Sequence, residues 1–170
     1  GQSMDATILV TRPEAYKEGL GTADLFYNTH KNIYFENLTL KNALDHYGHG
    51  GRAAVMHDCG TRTIYKNVRM LSYQDTYFSE NNNMQSYFDG CDIHGKTDFI
   101  CGGGDVRFYN TTISLEPRAL TTNQGGRIIT APSSTTVYGY VFDHCRIIDL
   151  ANGEGSWAYG RMWQNKLTHI

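Results

Sequence analysis

Phe88-Asp89-Gly90-Cys91-Asp92-Ile93 and Phe108-Tyr109-Asn110-Thr111-Thr112-Ile113 carry one pattern: aromatic, any, Asn/Gly/His, small or apolar, any, aliphatic. The same hexad returns at Phe35-Glu36-Asn37-Leu38-Thr39-Leu40, Tyr65-Lys66-Asn67-Val68-Arg69-Met70 and Phe142-Asp143-His144-Cys145-Arg146-Ile147. Its third position favours residues that tolerate a left-handed backbone, so each unit reads as a short strand, a sharp bend and another short strand. Starts at 35, 65, 88, 108 and 142 are separated by 30, 23, 20 and 34 residues. With β-rich units and no amphipathic helix, such a period predicts an all-β solenoid, a right-handed parallel β-helix whose coils bury inward residues on their neighbours. The longer separations are then loops bulging from one face. An antiparallel sandwich also spaces short strands closely, but it does not predict one hexad recurring in one orientation. Stacked coils further predict amide hydrogen bonds from rung to rung between the matched asparagines.

The rest of the composition agrees with a single β-helix domain over residues 1–170. With 40% apolar, 12% aromatic and 19% charged residues and only 3 Pro, the chain is neither disordered nor collagenous. A net charge of −2 offers no basic field, so a nucleic-acid partner is not expected. No apolar run approaches the roughly 18 residues of a membrane span. The chain opens on Gly1-Gln2-Ser3 without an initiator Met and stops at Lys166-Leu167-Thr168-His169-Ile170, so a fragment of a longer protein is expected. Cys59, Cys91, Cys101 and Cys145 fit no zinc spacing and are too sparse for a disulfide scaffold, which predicts packed, reduced thiols and no metal.

Asp75 lies ten residues after Tyr65, and Asp98 ten after Phe88. They are equivalent positions on successive coils, about 4.8 Å apart in a parallel stack. Two such carboxyls resist ionising together, so one is held as an acid while the other stays a carboxylate. The plain reading of each aspartate alone is a turn cap. Gln74, beside Asp75, is a donor for a developing oxyanion. Arg118 and Asp45 share the same ten-residue offset from Phe108 and Phe35.

Tyr73-Gln74-Asp75-Thr76, Gly95-Lys96-Thr97-Asp98-Phe99-Ile100-Cys101-Gly102 and Tyr159-Gly160-Arg161-Met162-Trp163 resemble the three signature segments of pectin methylesterases. The order and spacing match, and the resemblance extends through Phe35 to Asn42, Ala53 to Met70 and Arg127 to Pro132. It implies hydrolysis of methyl esters on galacturonate units of pectin (homogalacturonan), without a cofactor, by a secreted, periplasmic or cell-surface protein expected to be a monomer. By the same resemblance, Asp98 is the nucleophile, and Asp75 is the acid for leaving methanol and then the base for water. Gln74 belongs to the oxyanion hole, Arg161 holds Asp98 ionised and oriented, and Trp163 stacks on a sugar ring.

The chain departs from the family at several positions. Twenty-two residues before Gln74, where the family usually has a second oxyanion-hole Gln, stands Arg52. Arginine is also a donor, but its permanent charge is expected to lower the pKa values of both aspartates and disturb the acid. Cys101 replaces a usual Phe and Met162 a usual Pro. With Trp163 and Arg52, Tyr77 and Phe78 are candidates to line the sugar site, core packing being the alternative for both aromatics.

Other motifs carry less. His46-Tyr47-Gly48-His49 reads as a loop, and Cys101-Gly102-Gly103-Gly104-Asp105 as a turn between coils, since it lacks the ending of a phosphate loop. No Gly-x-Ser-x-Gly elbow is present. The sequons at Asn37 and Asn110 fall inside repeat strands and read as chance matches. Two rival functions remain open at this level: a non-catalytic pectin-binding relative, and a polysaccharide lyase of similar architecture, which requires calcium and an arginine base.

Overall fold

The computed structural model describes residues 1–13, 23–44, 52–117, 126–134, 137–153 and 155–163. Fifteen strands follow one another among them: β1 (Ile8–Thr11), β2 (Phe26–Asn28), β3 (Tyr34–Asn42), β4 (Met56–Asp58), β5 (Thr63–Leu71), β6 (Tyr77–Ser79), β7 (Gln85–Asp89), β8 (Asp92–Gly95), β9 (Thr97–Gly103), β10 (Asp105–Tyr109), β11 (Thr112–Leu115), β12 (Arg127–Ser134), β13 (Tyr140–Asp143), β14 (Arg146–Asp149) and β15 (Trp157–Gly160). Each pairing between them is parallel. The chain winds alternately through two sheets, one containing β1, β3, β5, β7, β8, β10, β11, β13 and β14, the other β2, β4, β6, β9, β12 and β15. This is a parallel β-helix, and the antiparallel sandwich is excluded.

The hexads stack in register. Phe35 faces Tyr65, Tyr65 faces Phe88, Phe88 faces Phe108 and Phe108 faces Phe142. Their rings form a continuous pile, with centroids 5.4, 4.4, 4.7 and 4.7 Å apart. Tyr65, Phe88 and Phe108 are fully buried; burying each of these contributes roughly 1.5–3 kcal/mol, and each stacked pair about 0.5–1.5 kcal/mol more. The aliphatic position stacks likewise through Leu40, Met70, Ile93, Ile113 and Ile147.

Between the two ladders every unit bends at its third residue. Asn37, Asn67, Gly90, Asn110 and His144 have φ of 57°, 50°, 62°, 48° and 54°, the left-handed region the sequence pattern requires. Asn67 Nδ2 donates to Asn37 Oδ1 at 3.1 Å, one rung of the expected amide ladder, which Gly90 interrupts on the next coil. At the fourth position Cys91 and Cys145 each donate their thiol to the aromatic carbonyl one coil back, at 3.3 Å to Tyr65 and 3.3 Å to Phe108. All four cysteines are free.

In the second sheet, strand alternation splits neighbours between two environments. Met56, Tyr77 and Ile100 face one another across β4, β6 and β9 and point into the core, while His57, Phe78 and Cys101 point the other way. Tyr77 is 0% exposed and packs edge-on against Tyr65 and Phe88. The expectation that it lines the sugar site is therefore corrected: its ring is wedged into the aromatic pile.

Candidate active site

The coil passes from the first sheet to the second just before β6 and at the start of β9. Gln74 pairs with Thr97 there, and Tyr77 with Ile100, so Asp75 and Asp98 occupy matching places on adjacent rungs. Against β12 the register slips: Thr97 faces Ile128 and Ile100 faces Thr130, leaving Asp98 and Phe99 opposite Ile129 alone. This is a bulge, the device that re-aims a side chain at an active site. Both aspartates adopt left-handed backbone, φ 54° at Asp75 and 49° at Asp98. Such a conformation costs an L-residue about 1–3 kcal/mol and persists only where its surroundings enforce it.

Two glycines allow the close packing around it. A Cβ on Gly95 would lie 2.1 Å from Cβ of Phe99, and one on Gly102 would lie 2.0 Å from the Ser79 carbonyl oxygen on the neighbouring rung. The spacing Gly95-x-x-Asp98-Phe99-x-x-Gly102 is thus a packing rule. The first glycine admits the Phe99 ring beneath the bulge, and the last lets two backbones touch.

Arg161 follows β15 and grips Asp98 with a two-pronged fork. Its Nε donates to Oδ1 at 2.8 Å, and a terminal guanidinium nitrogen donates to Oδ2. Its backbone amide is fixed to Thr130 O at 3.0 Å. Asp98 is 3% exposed, so a paired, bidentate guanidinium is what permits its burial. Arg52 approaches Asp75 from the preceding coil, Nε to Oδ2 3.4 Å, and its side chain stays partly in solvent.

Asp75 is raised from its usual value to about 7. Burial is the main cause, with a push from the Asp98 charge; Arg52, the Cys101 thiol and Arg161 pull the other way. The expectation that Arg52 lowers Asp75 has the right sign for that one pair, but desolvation outweighs it. Asp75 is thus held as an acid above the usual carboxylate range, and burial, more than the neighbouring Asp98 charge, is what holds it there.

Gln74 is half-buried next to Asp75. Trp163 reaches the same surface and packs edge-on against Phe78, with ring centroids 5.3 Å apart. Phe78 is 2% exposed beneath it, within a small cluster with Cys101 and Ala131. Phe78 therefore supports Trp163 and has no face open to a sugar. Cys101, read from the sequence as a packing change, touches the acid directly: its thiol donates to Asp75 Oδ1 at 3.7 Å. The signal for this contact lies in the register, since Cys101 follows Asp98 by three residues on the rung next to Asp75. Arg118, Asp45, His46 and His49 lie outside the described residues. The glycine-rich run ends as a turn, with Gly104 at φ 82° and Asp105 Oδ1 accepting from the amides of Val137, Tyr138 and Gly139.

The family model for pectinesterases matches residues 1–166. Among curated proteins, a pectinesterase of Olea europaea is 31% identical over 67% of this chain and 29% of its own length. The Arabidopsis thaliana pectinesterase QRT1 is 32% identical over 78% of this chain and 32% of its own. This chain thus spans about a third of those relatives' length. Among solved structures, the pectin methylesterase PemA of Erwinia chrysanthemi superimposes with a TM-score of 0.83 at 24% identity, covering 96% of this chain and 55% of that one. A pectin methylesterase in complex with a hexasaccharide gives 0.83 at 23% identity, covering 99% and 56%. With the family model spanning nearly its whole length and the Asp75–Asp98 rung in the expected order, this chain belongs to the pectinesterase family.

Proposed function

We propose that the protein containing this chain hydrolyses methyl esters of galacturonate units in pectin, releasing methanol and leaving free carboxylates. The observation that carries the reading is the pairing of Asp98, forked by Arg161, with a buried Asp75 on the adjacent rung whose pKa burial raises. An Asp98 carboxylate oxygen attacks the ester carbonyl carbon, and negative charge moves to the carbonyl oxygen, where the Gln74 amide and the Arg52 guanidinium are the donors. The bond to the methoxy oxygen breaks as Asp75 delivers its proton, and methanol leaves. An anhydride between Asp98 and the sugar remains. Asp75, now a carboxylate, takes a proton from water, the resulting hydroxide attacks the sugar carbonyl, and Asp98 is released.

Trp163 supplies the stacking surface for the sugar chain, resting on Phe78. Every group named comes from one chain, which fits action as a monomer, and a cell-wall polymer as substrate places that action outside the cytoplasm. No helix among the described residues is long and apolar enough to cross a membrane.

The deciding experiment is methanol release from highly methylated pectin by the chain extended to its natural ends, against its Asp98→Asn variant. Release that vanishes in the variant supports ester hydrolysis and the nucleophile together. Release from neither folded protein favours the pectin-binding reading, and unsaturated products absorbing in the ultraviolet favour the lyase.

A further inference from the structure

We propose that His57, Cys59 and Glu80 form a zinc-binding site, distinct from the Asp75–Asp98 rung. His57 lies in β4 and Cys59 two residues on, so both side chains leave one face of the coil. Glu80 follows β6 on the next coil, its amide bonded to Asp58 O at 2.9 Å. His57 Nε2 lies 2.8 Å from Glu80 Oε2, and the Cys59 thiol donates to that same oxygen at 2.9 Å. An imidazole nitrogen, a sulfur and a carboxylate oxygen thus converge within 4.8 Å of one another. That mixed donor set suits zinc, whereas calcium and magnesium prefer oxygen alone.

The surroundings are arranged as a metal site requires. Asp24 Oδ2 lies 2.7 Å from His57 Nδ1, and both side chains are buried. A carboxylate on Nδ1 fixes the ring with Nε2 outward and makes that nitrogen a better ligand. The other Asp24 oxygen is buried with no hydrogen-bond partner, a costly arrangement that orienting a ligand imidazole explains. Tyr27 edge-on at 4.7 Å and Phe78 at 4.5 Å hold the imidazole ring from either side. Glu80, by contrast, is half exposed. The imidazole nitrogen and the sulfur, 2.8 and 2.9 Å from the Glu80 oxygen, need to move from it by under about 1 Å to surround an ion at about 2.0–2.3 Å. Zinc enters as the Cys59 thiol surrenders its proton to solvent and His57 binds through unprotonated Nε2. The spacing rule applied to the sequence finds no such site because Glu80 comes from the next coil.

Calorimetric titration of the chelator-treated full chain with zinc chloride tests this. One equivalent is expected to bind, at least about 10-fold more weakly in Glu80→Gln and not measurably in Cys59→Ser or His57→Ala. Cobalt substitution is expected to give a thiolate-to-metal charge-transfer band that Cys59→Ser abolishes. A wild-type chain that takes no zinc overturns the proposal, as does a cobalt complex without that band. So does a Glu80→Gln chain that binds like wild type, and this exposed position tests the site even if His57→Ala fails to fold.

Discussion

The aromatic ladder and the aspartate rung use the same backbone device to opposite ends. In each, a non-glycine residue on successive coils is forced into left-handed backbone: Asn37 and Asn67 in one, Asp75 and Asp98 in the other. On the ladder side that residue faces outward and pairs like with like, and the stability resides in the rings either side of it. On the rung side the same twist turns a charged group inward, where burial raises Asp75 and Asp98 needs the Arg161 fork. Repetition builds the scaffold, and chemistry begins where repetition breaks, at a bulge and at two arginines with no counterpart in the hexads.

A crossed pair of substitutions breaks or confirms this division and carries the largest effects. Asp98→Asn is expected to lower methanol release by about 10³-fold or more, while leaving the urea midpoint close to wild type, because asparagine tolerates the same φ. Phe88→Ala removes a fully buried ring stacked on both faces and is expected to cost about 3–5 kcal/mol, read as a large fall in the urea midpoint. If Asp98→Asn unfolds the chain, or Phe88→Ala does not destabilise it, the two regions are not separable as argued.

The rung side predicts a pH profile that the ladder side does not. Asp75 donates its proton first, so kcat/KM is expected to hold below about pH 7 and fall above it, following the raised carboxyl. Arg52 favours the ionised form of Asp75. Arg52→Gln removes that pull, so Asp75 rises further and the falling limb moves to higher pH. A limb that stays in place or moves down refutes the assignment of Asp75 as the acid.

The ladder was readable because its hexad repeats in the sequence itself, and the rung because Asp75 and Asp98 keep one offset from it. What escaped depends on which way a side chain faces. Tyr77 and Phe78 are adjacent aromatics in a three-residue strand, too short for alternation to announce its phase, and the left-handed turn at Asp75 sets that phase. Burial of Asp75 is a property of the packed coils, which is why its rise over the pull of Arg52 was not legible. The contact of Cys101 with Asp75, like that of His57 with Glu80, crosses between rungs and leaves no local spacing to find.

The smallest effect probes the shared device directly. Asn67 sits at φ 50° and donates to Asn37 at 3.1 Å. Alanine there loses both the side-chain bond and the tolerance of asparagine for this backbone, and is expected to cost about 1 kcal/mol. Glycine loses the bond but meets no strain, so Asn67→Gly is expected to fall within about 0.5 kcal/mol of wild type in urea denaturation. Equal losses for the two would place the stability in the amide ladder. The expected gap places it in the backbone twist, and the same twist at Asp75 and Asp98 is then maintained by stability drawn from the ladder.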